Sequence, residues 1–446
     1  MRFLLAVCLL VLCPAAPAQN AAAPGGSEPG SSSATFRGDP AHTGIYNQPG
    51  VTAFHKVKWQ FQTKAQIVSS PVVSQNTVYF GSNDHRLYAI GLEQGEKKWE
   101  FKSEGRVASS PAVANGLVYF LSYDSNFYAL DATTGSLRWK FKTDGERRFI
   151  AKHLHGMEPA AEPVPDPFDF YLSSPVVADG TVFFGSGDSN VYALDAASGA
   201  LKWKFKTGDV VHASPAFAYG TVFVGSWDTY FYALDAATGK EQWRFKTGED
   251  HEIFNQTGLQ ASPAVADGIV YFGCRDSKFY ALDAKSGKQL WAFSNKGSWV
   301  INSAAIKEGR VYFATSDTGL LRALDAKTGA EIFTLDFNHW PMFSSPAIAG
   351  NLIYLGSHQG RLLAIDANAK KLAWYFETEA AKTNGPALTD PKGAPNYQAV
   401  FHDNFYDDIV VGLQKMLTVG VILSSPSVAG DTILFGSTDG NLYALQ

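Results

Sequence analysis

Residues 221–247 read TVFVGSWDTYFYALDAATGKEQWRFKT, and weakened copies of this stretch run along the whole chain. Its core, Ala233-Leu234-Asp235-Ala236-Ala237-Thr238-Gly239-Lys240-Glu241-Gln242-Trp243, sets an alanine ten residues before a tryptophan. The pairing recurs at Ala89/Trp99, Ala129/Trp139, Ala193/Trp203, Ala281/Trp291, Ala323/Phe333 and Ala364/Trp374. A second anchor, Ser-Pro after a small residue, opens the copies at Ser70, Ser110, Ser174, Ser214, Ser262, Ser345 and Ser425, with Ser303-Ala304 as a worn version. Together the anchors mark eight copies.

Each copy holds four short runs of β-branched and aromatic residues. In one of them strands are predicted at 172–177, 181–184, 191–194 and 201–205. Gly-Ser-x-Asp turns separate the second run from the third. Asp-Ala-x-Thr/Ser-Gly joins the third to the fourth, with Asp195 placed to accept backbone N–H groups and Gly199 supplying a positive φ. A repeat of about 40 residues with four strands predicts an all-β chain, an eight-bladed β-propeller of four-stranded antiparallel blades. The first recognisable element is a lone fourth strand, 56–61 with Trp59, and the sequence ends in a third strand at Tyr443-Ala444-Leu445. The last blade is therefore expected to be closed by the N-terminal strand, which leaves no open sheet edge between first and last blades.

With 446 residues, 46% apolar and 18% charged, the chain has the composition of a globular protein with a large core. Residues 1–18 read as a secretory signal: Arg2, an apolar run over 3–12, then Ala16-Pro17-Ala18 as a small-residue cleavage site. Cleavage near Ala18 implies a periplasmic or extracellular protein. Cys13 follows bulky Leu12, where a lipidation signal wants a small residue. A Gly/Ser/Pro-rich stretch, 19–33, reads as a disordered leader, and 34–446 as the propeller. No later segment reaches the roughly 18 consecutive apolar residues of a membrane span. The mature chain retains Cys274 alone, at a position where other copies carry Ser82, Ser186 or Ser226, so an intramolecular disulfide is excluded. A net charge of −5 argues against nucleic acid as a partner. The expected partner is a protein, a glycan or a small molecule, and a monomer is expected.

The core 233–243 resembles the tryptophan-docking repeat of the PQQ-type propellers. That is the fold of quinoprotein alcohol dehydrogenases and of the propeller lipoprotein in the outer-membrane β-barrel assembly machinery. Phe36-Arg37-Gly38-Asp39 followed by Gly44 is similar to the N-terminal lead-in of such proteins, and Arg37 reads as structural. The resemblance covers almost the whole mature chain and implies that the tryptophans pack blade on blade. It implies two functions: a non-catalytic binding scaffold without cofactor, or a dehydrogenase that uses PQQ and Ca²⁺ to oxidise an alcohol or sugar.

Residues that recur once per blade are explained by the blade, so functional candidates are those that break the repeat. Three insertions do so, 144–171, 248–259 and 379–421, each between a fourth strand and the next first strand, and hence all on one face. The first carries Arg147, Arg148, His153 and His155, suited to an anionic ligand or, for the histidines, half a metal site. The third carries His402-Asp403-Asn404-Phe405-Tyr406-Asp407-Asp408 ahead of a helical spacing over 409–417. Asp407 or Asp408 suits the helix N-terminus, or with Asp403 a Ca²⁺ ion. At the channel mouth His212, Gln260 and Asn302 stand where other copies carry apolar or small residues. His251, Glu252, Asn255, Trp299, His339, Trp340 and His358 are placed in loops of the same face. Polar groups interleaved with indoles suit a sugar or a stacked quinone.

Overall fold

The alanine–tryptophan spacing is a register. Across one blade Ala216, Phe223, Ala233 and Trp243 lie side by side on successive strands, small against large. The row repeats as Ala264–Tyr271–Ala281–Trp291 and, across the chain ends, as Ser427–Leu434–Ala444–Trp59. An alanine beside each indole leaves room for the ring to lie along the strand and reach the next blade.

The computed structural model describes residues 34–151, 157–158, 162–248 and 258–446. They form eight four-stranded antiparallel blades, here numbered from the one spanning 72–102. Blades 2 to 7 span 112–142, 176–206, 216–246, 264–294, 305–336 and 347–377. Blade 8 joins Ser427–Ala429, Thr432–Gly436 and Asn441–Leu445 to Val57–Gln62, so the two termini close the ring as expected. No helix among the described residues is long and apolar enough to cross a membrane.

Blade-to-blade adhesion has two layers. At the periphery, Trp59, Trp99, Trp139, Trp203, Trp243 and Trp291 each donate an indole N–H to a carbonyl of the next blade at 2.8–3.2 Å. Each ring also lies on the glycine of the neighbour's turn: a Cβ added to Gly239, itself at φ +71°, would sit 2.6 Å from Trp203. That glycine is needed both for its positive φ and for the ring above it. The worn copy agrees, because where Phe333 replaces the indole the neighbouring turn carries Lys370 in place of glycine, at φ +52°. Trp374 donates to Val51 instead, since blade 8 has no such turn.

Around the axis, the backbone N–H of seven of the eight anchor serines, all but Ser262, donates to the next blade's anchor serine Oγ. The series runs Ser70, Ser110, Ser174, Ser214, Ser262 at 2.9 Å, and Ser303, Ser345, Ser425, Ser70 at 2.9–3.2 Å. Below this ring, residues 34–46 run round the axis and hydrogen-bond to blades 2 to 8 in turn, from Val113 to Pro426. Arg37 donates to the Pro346 and Ala304 carbonyls, which confirms its structural reading. The recurring aspartates are also architectural: Asp228 accepts the Tyr230 N–H, the Tyr232 hydroxyl and the Gly208 N–H, and Asp235 accepts the Thr238 N–H and hydroxyl.

Candidate functional site

The first insertion folds inward over the channel. Its segment 166–171, Asp-Pro-Phe-Asp-Phe-Tyr, carries two carboxylates with no exposed side-chain surface. Asp169 holds the His212 Nδ1 at 2.8 and 2.9 Å and also accepts the Phe149 N–H. Asp166 pairs with Arg275, whose guanidinium also donates to Gln260 Oε1. Gln260 in turn donates to the Phe168 carbonyl at 2.9 Å. The Arg275 guanidinium lies between two indoles, 4.3 Å from the centroids of both Trp227 and Trp299, and Phe149 stacks on Trp227 at 4.2 Å. A buried guanidinium thus exchanges water for a carboxylate, an amide and two π faces.

Tyr171 completes the roof by donating to the Leu423 carbonyl, at 3.0 Å, across the axis. Beneath it remains a cavity of about 40 Å³, ringed by the eight anchor serines and floored by Phe36. The titratable groups respond to this burial. The Asp169 carboxylate more than offsets the cost of burying His212, whose pKa is raised. Desolvation pushes Glu146 up to about 7, against hydrogen bonds from Ser186 (2.5 Å) and the Gly187 N–H (2.7 Å).

The third insertion builds the second part of the site. It folds as helix α1, Glu379–Leu388, a 3₁₀ turn at Tyr397–Ala399, and helix α2, Tyr406–Leu417. Helix α2 matches the predicted spacing. Helix α1 was not anticipated; it takes Gly385 and Pro386 into its second half, and Thr378 caps its start through a bond from the Ala381 N–H. Trp340 pins this insertion by donating to the Gly393 carbonyl, and Tyr406 reaches the first insertion at the Pro165 carbonyl, at 2.8 Å. Between α2 and the blade tops lies a cavity of about 360 Å³, walled by Trp299, Phe343, Tyr397, Phe401, Leu413 and Met416. His358 also lines it; burial lowers its pKa to about 4, so the ring is neutral, with Nδ1 on the Pro341 carbonyl.

The predicted candidates divide on this geometry. His212, Gln260 and Trp299 come together above the channel, where they hold the chain's own insertion. Ile301, not Asn302, faces the axis. Asn302 falls one residue out of phase, at the place of Ser69 and Ser173, and bridges Ala314 of its own blade to Met342 in the lead-in to the next. Arg147 is exposed and pairs with Asp209 at 2.9 Å, and Arg148 is half-buried and does not line the cavity. His339 and His402 are exposed. Asp408 accepts the His402 and Asp403 N–H groups and Asp403 accepts the Phe405 N–H, while Asp407 lies exposed in the first turn of α2. Among the described residues no three His, Cys, Asp or Glu side chains are grouped to hold a metal ion. His153, His155, His251, Glu252 and Asn255 lie outside the described residues. Cys274 is buried, which pushes its thiol pKa up and leaves it unreactive.

Sequence reasoning missed Asp166, Asp169, Trp227 and Arg275. A signal existed for the last two: the x of Gly-Ser-x-Asp, held by Tyr123, Trp227, Arg275 and His358 in four blades, always points at this face.

The sequence matches the family described as outer membrane protein assembly factor BamB over residues 51–160, 166–298 and 280–446. The chain belongs to this PQQ-repeat propeller family. No curated protein matches it. Among solved structures it is similar to BamB from Moraxella catarrhalis, with TM-score 0.63, 15% identity, and 88% of this chain and 99% of that one covered. It is also similar to a europium-containing methanol dehydrogenase, with TM-score 0.63, 15% identity and coverages of 91% and 96%. The quinohemoprotein alcohol dehydrogenase from Comamonas testosteroni gives TM-score 0.66, 15% identity and coverages of 92% and 80%. At such identity these likenesses establish the fold.

The described residues do not fit the family's eponymous quinone. Over the axis, Asp166 to Tyr171 occupy the space, and the remaining cavity of about 40 Å³ is far below the volume of a tricyclic cofactor. The larger cavity presents Asp317 and Asp403 and no lysine or arginine among its described lining residues, the wrong charge for a polycarboxylate.

Proposed function

We propose that this BamB-family propeller is a non-catalytic binding scaffold outside the cytoplasm, which takes a ligand or partner group on its insertion-bearing face. The observation that carries this reading is the apolar cavity of about 360 Å³ under helix α2. Ligand sites are concave, largely apolar and furnished with a few polar groups, and this one has His358, Asp317 and Asn404 at its edges. By contrast, the charged groups nearby that resemble catalytic machinery are engaged in folding: His212 with Asp169, and Arg275 with Asp166. The family description, an assembly factor, is consistent with a protein partner presenting an apolar side chain to this seat.

The test is a titration with the neutral hydrophobic probe N-phenyl-1-naphthylamine, followed by its fluorescence, on wild type and on Leu413→Trp, which fills the cavity. Saturable binding that the variant loses, with its melting temperature kept, supports the reading. Equal binding by both places the seat elsewhere. A parallel titration with PQQ and Ca²⁺ and a dye-linked alcohol assay should show no turnover, and turnover would overturn the non-catalytic reading.

A further inference from the structure

The small cavity on the axis is unusual in what faces it. Each anchor serine accepts its neighbour's N–H through Oγ, apart from Ser303, and none of the eight hydroxyls donates to a protein group among the described residues. Eight O–H donors therefore converge on about 40 Å³ without a protein acceptor. His212 adds a ninth. Its side chain has no exposed surface, Nδ1 is held by Asp169, and Nε2 has no partner. The Asp169 carboxylate raises the pKa of the ring and so favours the doubly protonated form, in which Nε2 is a donor.

The other polar side chains facing this set are engaged. Gln260 Oε1 accepts from Arg275, and Tyr171 donates to Leu423. No carboxylate lines the cavity. Below the ring, the Arg37 guanidinium is fully buried, with no carboxylate oxygen within 4 Å, and donates to the carbonyls that follow Ser345 and Ser303. The ring of unmatched donors creates positive potential at the cavity, and Arg37, bonded to the carbonyls that follow two of its serines, is a buried cation close to the ring. Gly44 keeps the guanidinium there, because an added Cβ would overlap its terminal nitrogen.

We infer that the axial cavity is an anion site holding one monatomic anion of halide size, chloride in the cell envelope, coordinated by serine hydroxyls and His212 Nε2. The volume admits a halide or a few waters. Independent of any ligand under α2, the anion acts as an axial pin that ties the eight inner strands together.

Two measurements on the mature protein test this. Crystals grown or soaked in bromide should show an anomalous-scattering peak on the axis, within the serine ring. Thermal melts in sodium chloride should run a few degrees above melts in sodium gluconate of equal ionic strength, because a ligand of the folded state alone stabilises it. His212→Gln should lose this chloride increment. Ser303→Ala removes one donor without breaking any ring bond, and should weaken the increment while folding normally. An adventitious ion only, seen as a bromide peak with no chloride-specific stabilisation, or ordered water alone at the position, would overturn the assignment.

Discussion

Trp243 shows how one residue type does two jobs here. Its ring packs on Phe223 and Phe231 of its own blade and on Gly287 of the next, and its N–H reaches Ala284. Trp243→Ala should cost about 3–5 kcal/mol in urea unfolding, as for other buried aromatics. Gly287→Ala strains a φ of +69° and meets the same ring, so it should also destabilise, whereas Gly268→Ala, with open space around it, should pay for backbone strain alone. The titratable residues set a pH optimum. Burial holds His42 and His358 neutral, with pKa values lowered to about 3 and about 4. Their contribution is present above the ordinary histidine value of about 6.5 and is lost as pH falls toward these folded values. Glu146, raised to about 7, and His212, also raised, act oppositely: their contribution is complete in acid and is lost as pH rises through the folded values. Melting temperature should therefore peak at about pH 6–7. Glu146→Gln keeps an acceptor for the Gly187 N–H and an N–H for Ser186, and should flatten the alkaline fall; an unchanged slope between pH 6.5 and 8 would refute this assignment.

At the scale of elements, the insertions matter more than the strands that carry them. Segment 166–171 is held down by buried ion pairs, and breaking one leaves the other charge unpaired in the interior. Arg275→Met should thus cost about 3–5 kcal/mol, well beyond the loss of a surface pair such as Arg147–Asp209, which is worth about 0–1 kcal/mol. Hydrogen exchange should show the damage spreading to Asp166, Asp169 and the roof over the channel. The third insertion is pinned by Trp340. Trp340→Phe removes the bond to Gly393 and should speed exchange in α1 and α2 while leaving the blades protected.

At the scale of the molecule, ring closure is the decisive feature. Strand Val57–Gln62 pairs with Asn441–Leu445 across almost the whole chain length, and the serine ring continues through Ser425 to Ser70. Deleting residues 441–446 removes the partner of the N-terminal strand and exposes two sheet edges. The single unfolding transition should broaden, and light scattering should reveal association through the open edges.

How much of this was legible in the sequence follows from where each partner lies. The blades, their count, the closing strand, the turn aspartates and helix α2 rest on interactions within about 40 residues or on exact repetition, so a periodic reading recovers them. The site was not legible. Asp169 meets His212 from 43 residues away, and Asp166 meets Arg275 from 109 away, joining an aperiodic loop to a channel-mouth position and to a turn position that the repeat leaves unconstrained. Asn302 looked like a channel residue, but it stands one position out of phase, at the place of Ser69 and Ser173, and Ile301 lines the axial cavity instead. The sequence by itself determined the propeller, because local periodicity dictates strands and register. Only the tertiary structure decided that the channel is roofed by the chain's own carboxylates, and that eight serine hydroxyls and a buried histidine face one point on its axis.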